Sequence, residues 1–88
     1  MTLKQESAIY ELLREYNRLS KEVDPYSFAD YDIEATISVW EQFKENYTEA
    51  CKNIREEVET IKNENEDYDI IVELADEMLE QLEYMEEL

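Results

Sequence analysis

The sequence predicts an all-α fold, and three observations carry the prediction. Glycine is absent and Pro25 is the only proline, so tight hairpins, dinucleotide folds and phosphate-cradling loops lack the residue they need. Apolar side chains recur every three or four positions along most of the chain, which is the period of one helix face. Polar breaks at Asp24-Pro25 and from Asn63 to Asp67 divide that pattern into segments of helical length.

A first helix is expected from about residue 3 to 22. Thr2 and Gln5 stand at capping-box spacing ahead of an apolar series, Leu3, Ile9, Leu12, Leu13, Tyr16, Leu19 and Val23. Proline disfavours helix in the residue before it, so the helix ends before Asp24-Pro25. Tyr26 to Tyr31 reads as an aromatic connector, part of which forms a short helix if Asp24 caps it with Pro25 in first position. The second helix is expected over residues 32–62, capped by Asp32. Its stripe of Ile33, Ile37, Trp40, Tyr47, Cys51, Ile54, Val58 and Ile61 is interrupted where Lys44 takes an apolar slot beside Phe43. Unbroken, it would be about 45 Å long at 1.5 Å per residue, so either the bundle is elongated or this helix bends. The third helix, residues 69–87, is drawn from the stripe Ile71, Leu74, Met78, Leu82, Met85 and Leu88. The expected architecture is one domain, 1–88, folded as a three-helix antiparallel bundle with a long central helix.

A chain of 88 residues buries only about 60% of its unfolded surface, which disfavours a deep catalytic pocket. Its 25 acids against 8 bases give a net charge of −17, which repels nucleic acid and membrane phosphates and attracts basic surfaces. Direct nucleic-acid binding and membrane association are therefore not expected. No apolar run approaches the roughly 20 residues of a spanning helix. Residues 1–11 lack the basic and apolar regions of a signal peptide, so the expected location is cytoplasmic. The lone Cys51 reads as a packed thiol.

Histidine is absent, which removes the commonest general base and the usual zinc and di-iron ligand sets. No catalytic residue, cofactor or metal is expected. One near-motif exists: Asp30, Asp32, Glu34, Thr36, Ser38 and Glu41 occupy alternate positions and the last position of a calcium loop, with Ile37 at its eighth. Ala35 stands where that loop needs glycine, and Pro25 interrupts the lead-in helix. An aspartate cap and an acidic first turn explain the same residues.

Charge is unevenly distributed. Residues 63–88 hold 11 acids and no base, whereas residues 1–62 hold 14 acids and 8 bases. In the first part, Glu11 with Arg14, Lys52 with Glu56 and Arg55 with Glu59 stand at helix-neighbour spacing. In the last, Asp69, Glu73, Asp76, Glu80, Glu83 and Glu87 step by 4, 3, 4, 3 and 4 opposite the apolar stripe. This ridge opposes stability, since like charges repel at that spacing and Glu83, Glu86 and Glu87 sit at the negative helix end. Either these side chains only keep the protein soluble, or they face a groove of lysines and arginines built for a nucleic-acid backbone. The partner-contact candidates are the ridge with Glu77, the preceding Glu64, Glu66 and Asp67, and the aromatic Tyr68 and Tyr84. Tyr26, Phe28 and Tyr31 are further contact candidates, while Tyr16 and Tyr47 fall at core positions.

In its small size, helical pattern, extreme acidity and lack of glycine and histidine, the chain resembles small phage-encoded inhibitors of bacterial defence, the DNA-mimicking anti-CRISPR and anti-restriction proteins. The resemblance is one of composition over the whole chain and includes no motif, so no family residue is carried over. It implies an inhibitor acting in the bacterial host cytoplasm on a basic nucleic-acid-binding protein, a nuclease or a CRISPR or restriction complex. Two alternatives stand beside it: a helical adaptor that self-associates, for instance as a homodimer through apolar positions such as Ile54, and an antitoxin or immunity protein against a basic toxin.

Overall fold

The computed structural model describes the backbone of residues 1–25 and 28–88, and the side chains outside residues 26–33. Four helices follow one another: α1 (Leu3–Val23), α2 (Phe28–Glu45), α3 (Tyr47–Glu64) and α4 (Asp69–Glu86). No strand occurs among the described residues. The fold is all-α, but the described residues form four helices where the sequence suggested three.

The extra helix comes from a break in the expected central one. At Asn46 the backbone leaves helical geometry (φ −156°, ψ 102°), and its side-chain oxygen accepts the Glu49 N–H, capping α3. The cap bond is 3.1 Å. Asparagine satisfies an orphan amide at a helix start as well as any residue, and the interrupted rhythm at Lys44 leaves no apolar stripe to hold the two halves in line. The chain then folds into extents of 36 × 26 × 17 Å, shorter than the about 45 Å of an unbroken helix. Asp32 is not a cap either, because α2 already begins at Phe28. Asp24 does not open a short helix: its N–H bonds to the Ser20 carbonyl at 2.9 Å, making it the C-cap of α1. Tyr26 and the side chains of Phe28 and Tyr31, named as contact candidates, lie outside the described residues.

At the other end of α1 the capping box is formed, with Gln5 N–H bonded to Thr2 Oγ1 at 3.1 Å and Thr2 N–H to Gln5 Oε1 at 2.9 Å. Each helix packs against two neighbours, α1 against α2 and α4, and α3 against α2 and α4. Neighbours run in opposite directions. Gln81 Nε2 donates to the Ala8 carbonyl at 3.0 Å, near the end of α4 and the start of α1. Likewise, Tyr47 at the start of α3 donates its hydroxyl to the Met85 carbonyl at 2.7 Å. That carbonyl also accepts the Leu88 N–H at 3.1 Å, so the Tyr47 hydroxyl adds a second donor where the last turn of α4 runs out of helical ones. Tyr16 crosses from α1 to α3, its hydroxyl donating to Glu57 Oε1 at 2.7 Å. Burial and this bond to a carboxylate both push the Tyr16 phenol above its ordinary pKa.

The core draws on every helix: Ile9, Leu12 and Leu19 from α1, Phe43 from α2, Ile54 and Val58 from α3, and Met78, Leu82 and Met85 from α4 are all but fully buried. Cys51 is buried too, and burial lifts its thiol to about 11, so it packs as an apolar group. Leu3, Val23 and Ile37, read from the sequence into apolar stripes, are instead exposed. Replacement of Met78 by Ala should cost about 2–5 kcal/mol and Asn46→Ala about 1 kcal/mol, both read by urea denaturation. A gain of stability in N46A would mean that the helix break is imposed by packing and not by the cap.

Candidate acidic interaction surface

The rotation of α4 is set by its apolar side. Ile71, Ala75, Met78, Leu82 and Met85 are buried between α1 and α3, and Leu74, Leu79 and Leu88 pack against them. Holding that stripe inward leaves Asp69, Glu73, Asp76, Glu77, Glu80, Glu83 and Glu87 exposed. The six-carboxylate ridge read from the spacing is thus one solvent-facing surface of one helix. Glu64, Glu66 and Asp67 are exposed at the α3–α4 turn, where Asn65 caps α3. Tyr68 and Tyr84 are exposed at opposite ends of α4, about 24 Å apart along its axis.

Two of the α4 acids meet bases from α3. Lys62 Nζ lies 2.6 Å from Asp76 and Arg55 Nη2 lies 2.7 Å from Glu86. The sequence spacing had offered Arg55 a partner on its own helix, Glu59. Both pairs are substantially exposed, and such pairs contribute about 0–1 kcal/mol. The Arg55 pair also places a cation near the C-terminal end of α4, where Glu86 otherwise faces the negative pole of the helix and no base stands in the last turn.

On its other side α4 turns acids toward α1. Glu77 and Glu80 line a shallow groove of about 280 Å³ with Glu11, Glu15, Arg18 and Gln81. Glu15 Oε2 is buried there without a hydrogen-bond partner. Its carboxyl is raised from 4.5 to about 7, chiefly because burial penalises the charged form, and further by Glu11, Glu77 and Glu80, with Arg18 opposing. The acid surface therefore extends onto α1, which the sequence reading did not include. The available signal was Glu11 and Glu15 at i,i+4, but which helix they would face is a tertiary fact.

Tyr84 also faces α1, lining a groove of about 470 Å³ with Leu3, Lys4, Ser7, Ala8, Glu11 and Gln81. The calcium-loop reading of Asp30 to Glu41 does not hold, since this run is helical throughout and the site requires a loop. Among the described residues, no group of three or more acidic or cysteine side chains is arranged to hold a metal ion. Nor is any described helix long and apolar enough to cross a membrane. No protein-family model, curated protein or solved structure matches the chain.

A pH dependence follows from Glu15. The folded state raises its pKa, so the protonated form carries the stabilisation. That contribution is complete below about 4.5 and lost as pH rises through about 7. Relative to wild type, Glu15→Gln should raise the melting temperature at pH 8 and lose that advantage by pH 5. An equal difference at both pH values would show that Glu15 is ionised across the whole range.

Proposed function

We propose that the protein is a stoichiometric inhibitor whose acid surface imitates the phosphates of a nucleic acid and fills the basic channel of a nuclease or defence complex, in the anti-CRISPR or anti-restriction manner. The observation that carries this reading is the charge density of α4. Eight carboxylates lie between Asp69 and Glu87, a span of about 27 Å at 1.5 Å per residue. That is one negative charge per roughly 3.4 Å, the axial spacing of phosphates along one DNA strand. Lys62 and Arg55 offset two of these charges, and both pairs are exposed enough for a competing arginine to exchange with them. Glu11, paired with Arg14 at 3.2 Å, extends the surface onto α1, and Tyr68 and Tyr84 supply aromatic contact at its two ends.

A target of this kind holds lysines and arginines already arranged for a polyanion, so long-range attraction steers the encounter. The inhibitor acts by occupying the channel, needs no catalytic group and works in the bacterial cytoplasm, where such complexes operate. The adaptor alternative is weakened by the burial of Ile54, which is 1% exposed and so already occupied within the monomer. An antitoxin against a basic toxin would use the same surface on a different target.

The test is binding to purified CRISPR effectors and restriction nucleases, with a DNA duplex as competitor. Affinity for the true target should fall at least about tenfold between about 0.05 and 0.5 M NaCl. The double reversal Glu73→Lys, Glu80→Lys should abolish binding while the circular dichroism spectrum is retained, because both side chains are exposed. Binding that is flat with salt, or insensitive to DNA, would sink the phosphate-mimic reading.

A further inference from the structure

The side of α1 that points away from the core carries a row with the same spacing as the α4 ridge and different content. Leu3, Ser7, Tyr10, Arg14, Asn17 and Lys21 step by 4, 3, 4, 3 and 4, opposite the buried Ile9, Leu12 and Leu19. The row contains no acid. Leu3 is 81% and Tyr10 60% exposed, and beyond them on α2 Ile37 is 50% exposed. Tyr10 stacks on Trp40 of α2, ring centroids 5.2 Å apart and planes 23° from parallel. Lys44 lies over the Trp40 ring at 5.6 Å. A groove of about 370 Å³ runs between α1 and α2 beside Tyr10, and the Leu3–Tyr84 groove lies on the opposite flank.

We infer that this α1–α2 face is a two-fold interface that binds a second copy of the chain. Charge argues for this occupant. Two bodies of −17 each repel over most of their surfaces, and a basic foreign partner is drawn to α4 instead. The row itself holds Arg14 and Lys21 and no acid, and the α1–α2 groove beside it sets Lys44 against Glu41, so here the approach of a second copy meets less repulsion between carboxylates than on α4. A two-fold contact sets the same patch of both copies together, and the centre of this row is the uncharged, 60% exposed Tyr10. Antiparallel α1 helices crossing at Tyr10 set Tyr10 against Tyr10, Leu3 against Asn17 and Arg14 against the turn of Glu6 and Ser7, and no like charges meet in the row. A standard interface covers about 800 Å² per partner, roughly one-seventh of the 5948 Å² surface. The dimer leaves the α4 acids uncovered and doubles their number per particle.

Sedimentation equilibrium of the full chain tests the inference. The expected result is a particle of twice the 10.6 kDa chain mass, growing in proportion with protein concentration. It should also grow with NaCl, because salt screens the repulsion between copies. That salt response is opposite in sign to the one expected for a phosphate mimic on its target, so either idea can fail alone. Leu3→Glu and Tyr10→Glu, each with its circular dichroism spectrum retained, should weaken self-association at least about tenfold, whereas the reversals at Glu73 and Glu80 should not. A monomer at every concentration and salt would overturn the inference, and so would a dimer indifferent to both face variants.

Discussion

The seating of α4 between α1 and α3 is the contact on which the rest of the molecule depends. This helix carries no base and an uninterrupted series of acids, so on electrostatics alone it opposes folding. Five like-charged steps along the ridge cost about 0.2–0.5 kcal/mol each. Burial of Ile71, Met78, Leu82 and Met85 gains about 1.5–3 kcal/mol per side chain, several times the repulsion. The apolar stripe therefore decides where α4 sits, and the acids go where the stripe sends them. The same contact aligns the Tyr47 hydroxyl with the end of α4 and brings Lys62 and Arg55 within reach of Asp76 and Glu86.

Much of this was legible in the chain. The capping box at Thr2 and the α4 stripe are local patterns, set within a few turns, and they reappear in the structure as read. The division of the central helix has a local signature: Lys44 in an apolar slot, then Asn46 three residues before Glu49, is a helix start in the middle of a helix. Continuous 4-3 periodicity on both sides hid it, because two helices packing on one core keep the same apolar period. Leu3, Val23 and Ile37 were misplaced for a related reason. Periodicity assigns a face but not its cover: Leu3 and Val23 stand at the two ends of α1, and Ile37, midway along α2, stays half exposed beside Tyr10 and Trp40.

The candidate site divides in the same way. Exposure of the α4 acids follows from the stripe opposite them, so it could be read from spacing. The pairs to Lys62 and Arg55, and the approach of Glu77 and Glu80 to Glu11 and Glu15, join residues far apart in sequence. They depend on which helices become neighbours, which no local pattern encodes. Glu15 illustrates the consequence: it reads as an ordinary surface glutamate, yet packing against α4 leaves one of its oxygens buried and unpartnered.

Rows of identical period on α1 and α4 make the molecule two-sided. Both rows step by 4, 3, 4, 3 and 4, and both are turned outward by the burial of the opposite stripe. Since α1 and α4 pack directly on each other, neither row can rotate without the other, and the angle between the two faces is fixed by the core. Core packing thus does two tasks that electrostatics could not do alone. It holds carboxylates together on one face against their mutual repulsion, and it keeps an aromatic face with an acid-free row separate on the same small body. A net charge of −17 spread evenly would make every approach repulsive to another acidic surface. Segregation leaves the outer row of α1 free of that repulsion, and which partner meets which face then follows from the sign and polarity of what approaches.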